Sequence, residues 1–414
     1  MTAADPLDTL RRHRVVVCVG TGGVGKTTIA AALALEAARR GQRALVLTID
    51  PARRLAGALG LESLGSEPDE LPPRARAALG IEGDGRLFAM MLDMKSTFDG
   101  LVDRFAENED ARSRILANAI YAHVSDALAG SAEYAAMEKV YELLESERFD
   151  LIVLDTPPAQ NAIDFLDAPR RLLEFIDSRV VRLLIHPAFV AGRAGFRLFQ
   201  RPGLRVLEML ERLLGIGFLR DLSEFLLAFE AMADGFRLRA TRVREMLLGP
   251  RAAFVLVAGP SYQAARNAEA FLEHLAGQHV PLAGVVVNRV RLWQDGHEPT
   301  PHGDGTTAVD VEAGAAAIEA AIRATHPDAD AAALAEAACG AATQYDDLVA
   351  LDRRNSAALL QRGEALGLFV RAVSELPEDV HDVEGLRAIG RALFADADTD
   401  ATAAIGPTAT GGAS

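Results

Sequence analysis

At 414 residues, half of them hydrophobic and only 6% aromatic, the chain has material for a sizeable core of alanine- and leucine-rich helices on a sheet. Its formal net charge of −15 excludes general nucleic-acid binding, because a polyanion would be repelled. Two cysteines, Cys18 and Cys339, exclude a disulfide framework; with no secretory signal and no uncharged apolar stretch of about 18 residues, the expected setting is the cytoplasm without a membrane span.

The first apolar run, Val15 to Val19, reads as a buried strand, with Cys18 as a small hydrophobe inside it. It feeds Gly20-Thr21-Gly22-Gly23-Val24-Gly25-Lys26-Thr27-Thr28, and helix formers follow from Ile29 to Arg40. Strand, glycine loop and helix in that order satisfy G-x-x-x-x-G-K-[ST]. The loop amides can turn towards a phosphate and the helix end adds positive potential. Lys26 is placed to reach the β- and γ-phosphates, and the Thr27 hydroxyl to hold magnesium. Lysine is rare in this chain, with Lys26, Lys95 and Lys139 set against a total of 43 basic residues, so a lysine here marks a place for a compact ammonium.

Gly41 stops the helix, and residues 44–48 read as a second strand ending in Ile49-Asp50-Pro51-Ala52-Arg53-Arg54. Residues 62–86, with Pro68, Pro72 and Pro73, read as loop. A third strand is expected over 87–92 and helical periodicity over 95–147. The fourth strand, 149–154, closes on Asp155-Thr156-Pro157-Pro158, where an aspartate well after a phosphate loop occupies the position of a second acidic motif. From 172 to 248 the chain is apolar on more than one helical face, which fits either a core helix or a sticky face for a partner.

Strands are also expected over 253–258 and 284–288, the latter ending in Val287-Asn288-Arg289. His297 and His302 share a polar loop without metal-ligand spacing and read as surface residues. An alanine-rich helix runs to about Gly340, a short strand falls at 366–370 and a closing helix at 383–394. The composition of 396–414 predicts a disordered tail. Alternating strands and helices mean an α/β fold, a doubly wound and mostly parallel sheet in one domain over 1–395, with a helical insertion at about 172–248. In such a sheet Thr27, Asp50, Asp155 and Asn288 all fall at carboxyl strand ends, where ligands sit.

The loop, Asp50-Pro51-Ala52, Asp155-Thr156-Pro157-Pro158 and Val287-Asn288 together resemble the arsenite-pump and guided-entry ATPases, phosphate-loop enzymes with a deviant glycine loop. Residues 130–137 and the segment around Leu376-Pro377-Glu378 resemble that family's segment before the fourth strand and its adenine-side loop. The resemblance implies ATP and Mg2+ as cofactors, with loop residues Gly20 to Thr28 on the phosphates and Thr27 on the metal. Asp50 becomes the water-orienting residue, Asp50 and Asp155 hold the metal through water, and Asn288 and Pro377 face the adenine. It further implies a dimer, homomeric or with a paralogue, whose closure reshapes a groove for an apolar helical client or membrane protein, with peripheral membrane association as one setting. Leu219, Leu222, Phe225, Leu226, Phe229 and Met232 are the expected groove residues.

Three departures stand out. Thr21 occupies the position of the family's cross-subunit lysine, which predicts slow hydrolysis by the protein alone; Arg53 and Arg54 read first as a solvated helix start, with a substitute cation for the phosphate as the alternative. No cysteine pair exists for a bridging zinc, and two cysteines cannot form an arsenite triad. The alternative functions are therefore the motor subunit of an anion pump, or a slow or inactive nucleotide-binding subunit of a hetero-oligomer.

Overall fold

The computed structural model describes residues 5–50, 54–118, 121, 131–156, 174, 216–293, 308–377, 379–380 and 382–395. Among them eight strands form one sheet: β1 Val15–Val19, β2 Arg43–Thr48, β3 Asp69–Glu70, β4 Arg86–Met91, β5 Leu151–Asp155, β6 Ala252–Ala258, β7 Leu282–Val290 and β8 Phe369–Ser374. Their order is β3-β4-β2-β5-β1-β6-β7-β8. Every pairing is parallel except the two-residue β3 against β4. The sheet is the expected doubly wound one, and β1 lies inside it between β5 and β6.

Side-chain alternation along β1 divides the core. Val15, Val17 and Val19 join one apolar cluster and Val16 and Cys18 the other, as a two-residue period requires. The second face is covered by α1 Pro6–Arg12, α2 Lys26–Arg39, α3 Arg54–Ala58, α4 Pro73–Leu79 and, behind them, Val383–Phe394. The first face is covered by α5 Met94–Phe105, α6 Glu109–Leu116, α7 Ser131–Glu145, α8 Ile216–Leu248 and α9 Tyr262–Gly277. Helices α10 Ala308–Thr325 and α11 Ala331–Ala365 form a hairpin between β7 and β8, and Val383–Phe394 is α12. Helix α2 is buried nearly all round, because α12 packs on the side that faces away from the sheet.

Several expected boundaries move. Residues 62–86 contain β3 and α4 rather than loop alone. Pro73 sits at the first turn of α4, where a missing N–H costs nothing. The span 95–147 is broken by caps: the Asp93 side chain accepts from the Ser96 amide and Asn108 from the Ala111 amide. Helix α11 runs to Ala365, well past Gly340, and pushes β8 three residues later than expected. Residues 51–53, 130, 157–158, 378 and 396–414, most of 172–215 and the His297–His302 loop lie outside the described residues, and with them the expected tail.

Candidate nucleotide site

The loop between β1 and α2 is held by backbone geometry that only glycine supplies. Gly20 has φ +152°, and a Cβ there would lie 2.1 Å from the Val257 carbonyl oxygen of β6. Gly25 has φ +91°, and a Cβ there would lie 2.2 Å from the Asn288 amide nitrogen. Gly25 opens α2 without any side-chain cap, so the first-turn amides face the loop with the helix dipole behind them. An uncapped helix end beside a glycine loop suits an anion.

Lys26 is 6% exposed and donates from Nζ to the Thr21 carbonyl at 2.9 Å. Burial pulls its pKa below the ordinary lysine value, while the Asp155 and Asp50 carboxylates oppose that drop. Asp155, at the end of β5, is 1% exposed. Its Oδ2 accepts from Thr27 Oγ1 at 2.7 Å and from Thr48 Oγ1 at 2.9 Å. Burial pushes this carboxyl up to about 6, against the pull of the two hydroxyls and Lys26. The Asp50 amide donates to Thr48 Oγ1 at 3.2 Å, so Thr48 ties the ends of β2 and β5 together. Thr156 Oγ1 donates to the Cys18 carbonyl at 2.7 Å and fixes β5 to β1 just below the loop. Burial, with Asp155 nearby, pushes the Cys18 thiol up, so it stays a neutral core residue.

Asn288, at the end of β7, is 4% exposed and donates from Nδ2 to the Val24 carbonyl at 2.9 Å. Its Oδ1 is buried without a hydrogen-bond partner among the described residues, an acceptor of the sort a ligand donor would satisfy. The next residue, Arg289, has φ +62°, a left-handed conformation that costs a non-glycine residue about 1–3 kcal/mol. The register between β7 and β8 shifts between Val287 and Val290. Pro377 is exposed in the segment after β8.

The structure thus gathers Lys26, Thr27 and Asp155 in direct or near-direct contact, and anchors Asn288 to the same loop. Thr48 escaped the sequence reading as a site residue, although a hydroxyl inside an apolar strand needs a partner and could have been flagged, and Thr156 stood there without a role. Hydroxyl and carboxylate oxygens are hard donors, so Thr27, Asp155 and Thr48 fit magnesium. Among the described residues no cluster of three or more His, Cys, Asp or Glu side chains could hold a metal without further ligands.

Two expected groove residues need correction. Phe225 and Met232 are 4% and 2% exposed within the first core cluster. The Phe225 ring lies 6.2 Å from that of Tyr121, so α8 turns this side inward against the bundle rather than into an open groove. The side chains of Leu219, Leu222, Leu226 and Phe229 lie outside the described residues, as does Arg53. Arg54 is exposed at the start of α3 and lies close enough to Lys26 to repel its charge.

A family model described as anion-transporting ATPase matches residues 13–299, well over half of the chain. The chain belongs to that family. This member is 33% identical over 181 residues to an uncharacterized protein of Streptomyces coelicolor, covering 44% of this chain and 42% of the other. It is 30% identical over 176 residues to a putative arsenical pump-driving ATPase of Halobacterium salinarum, covering 42% and 26% of the two chains. To the ATPase get3 of Neurospora crassa it is 24% identical over 290 residues, 70% of this chain and 76% of that one. The matches thus span less than half the length of the Streptomyces and Halobacterium relatives. In this anion-transporting ATPase family member the matched segment takes in β1 to β7 with Asn288 and ends before the α10–α11 hairpin.

Proposed function

We propose that the protein binds ATP with magnesium at the β1–α2 loop, hydrolyses it, and closes as a dimer over the nucleotide to act on an apolar client or membrane partner. One observation carries the first part. A buried ammonium, a buried carboxylate and a buried amide oxygen converge on one uncapped glycine loop; among the described residues the two charges are hydrogen-bonded to neutral groups and the amide oxygen has no partner. Burial of that sort is costly and is retained where a ligand supplies the missing partner.

In this reading Lys26 and the amides from Gly20 to Thr28 hold the phosphates, Thr27 and Asp155 hold magnesium, and Asn288 with Pro377 faces the base. Asp50 orients the attacking water, a role supported by its place at the end of β2 beside Thr48. Magnesium, when bound, supplies charge neutralisation on the phosphate oxygens. The chain is read as one nucleotide-binding domain over 1–395 with 172–248 inserted. Thr21 offers no charge, so the protein alone is expected to turn over slowly, below about one per second. Dimer and client rest on the family resemblance. No helix among the described residues is long and apolar enough to cross a membrane.

Lys26→Ala tests the nucleotide reading, because it removes the buried cation aimed at the phosphates. The variant is expected to remain folded and to lose ATP affinity by about 100-fold or more, read by calorimetry. Unchanged affinity would sink the proposal.

A further inference from the structure

The α10–α11 hairpin has no role in the reading above, yet it grips the strand that carries Asn288. Asp352, in the inner half of α11, is 2% exposed. Its Oδ2 accepts from the backbone amide of Arg291 at 3.0 Å, and its two oxygens take Arg291 Nη1 at 3.1 and 3.2 Å. Nearly two turns earlier on α11, Asp346 accepts from Trp293 Nε1 at 2.7 Å and Tyr345 donates to the Leu292 carbonyl at 3.2 Å. Arg291 Nε also lies 3.7 Å from Glu375, whose backbone amide donates to the Val290 carbonyl at 2.9 Å.

What this bracket holds is the irregular end of β7. Arg289 stands in a left-handed conformation in the middle of a register shift, a backbone state that persists only where the surroundings over-determine it. Asn288 is the neighbouring residue, and its amide must stay against the Val24 carbonyl for Oδ1 to keep its direction. The Arg289 guanidinium reaches Asp379 at 2.8 Å in the segment that carries Pro377. Asn288 therefore sits beside a strand end that α11 brackets, and a surface ion pair ties the Pro377 segment to that same strand end.

We propose that Asp352 is a positioning residue for base recognition: through Arg291 it holds the strained end of β7 so that Asn288 presents Oδ1 to the base. This rests on the nucleotide-binding reading. The competing role for Asp352 is simple attachment of the hairpin to the sheet. The two differ in what they do to the base and phosphate parts of the ligand. Loss of positioning weakens the base contact alone, whereas loss of attachment acts on the fold or on both parts equally.

The test uses the full chain with magnesium and two probes, ATP and inorganic tripolyphosphate, measured by calorimetry. Asp352→Asn keeps the shape and removes the charge. Arg291→Met opens the same bracket from its half-exposed side and serves if Asp352→Asn does not fold. In the variant, ATP affinity is expected to fall about tenfold with tripolyphosphate affinity unchanged, since an indirect contact transmits part of a charge-assisted hydrogen bond. An unchanged ratio of the two affinities, whether both hold or both fall together, overturns the proposal. If Lys26→Ala leaves ATP binding intact, the nucleotide reading itself has failed. If Lys26→Ala abolishes binding and the ratio is unmoved, the positioning role alone has failed.

Discussion

Two buried carboxylates, one in the seam between α7 and α8 and one at the tip of β5, are treated in opposite ways. Glu138 is 3% exposed and meets Arg239, itself 4% exposed, at 2.6 Å. Arg239 also reaches Glu145 at 2.8 Å and lies 4.1 Å over the Tyr141 ring. Burial pushes Glu138 up, and the adjacent guanidinium pulls it back. Asp155 is equally buried, but the groups bonded to it are the neutral hydroxyls of Thr27 and Thr48. The seam answers charge with charge, although Tyr134 Oη, Glu138 Oε2 and Arg239 Nη2 still lack partners among the described residues. At the strand tip a carboxylate keeps a raised pKa with no cation bonded to it among the described residues, although Lys26 lies nearby. That is a stability cost of the kind functional sites keep.

The comparison can be broken at either end. The largest effect is expected from Arg239→Ala, which leaves Glu138 charged and buried without a cation. Removing one partner of a buried pair costs about 3–5 kcal/mol, readable as a fall in urea midpoint. A loss under about 1 kcal/mol would mean the seam is no better matched than the site. Replacing Glu138 and Arg239 together by methionine should recover most of the loss, since no orphan charge remains.

Next in size is Asp155→Asn, which should stabilise the ligand-free protein. The folded-state pKa of Asp155, about 6, lies above its ordinary value of 3.8. Stability from this group is therefore full below about pH 4 and is lost as pH rises through 6. The total is about 3 kcal/mol at pH 8. The variant has no such loss, and its amide oxygen can still accept from both threonines. Its advantage over the parent should be greatest at pH 8 and vanish towards pH 4, while magnesium-dependent ATP turnover falls. Equal stability at pH 8 would refute the claim that the site carries a standing cost.

The smallest effect is expected from Thr48→Val, an exchange of similar shape that removes one donor to Asp155. The loss should be about 1 kcal/mol, and the Asp155 pKa should rise further because a bond to the charged form is gone. The half-point of magnesium-dependent ATP binding should then move to higher pH in a titration between pH 5 and 8.

Elements with one dominant local signal were legible in the sequence. Strand β1 and helix α12 lie where the apolar run and the amphipathic period put them, and the glycine loop announces its own turn. The expectation that Thr27, Asp50, Asp155 and Asn288 share one end of the sheet could be read because a parallel sheet brings carboxyl strand ends together. What escaped depends on partners far away in the chain. Thr48 looks like one more strand residue until Asp155 arrives beside it. Asp352, in Leu351-Asp352-Arg353-Arg354, reads as part of a solvated helix face, and nothing local says that Arg291 will bury it. Phe225 and Met232 suit a groove or a core on sequence, and both lie buried in the first core cluster, Phe225 beside Tyr121.

The long helix α11 has a mechanical consequence. No residue from 336 to 348 is buried, while the inner half carries Val349, Asp352, Ser356, Leu359 and Gly363 in contact with the body. The stretch from 336 to 348, about 20 Å at 1.5 Å per residue, thus leads outwards from the inner half and is tied to the body by Tyr345 and Asp346. In a beam held at one end, bending stress is greatest at the root. A load on the outer half, where Leu334 is exposed, is therefore passed to the end of β7 through Tyr345, Asp346 and Asp352 together. By reciprocity, a partner on the outer half that changed the affinity for the base would have its own affinity changed by the base by the same factor.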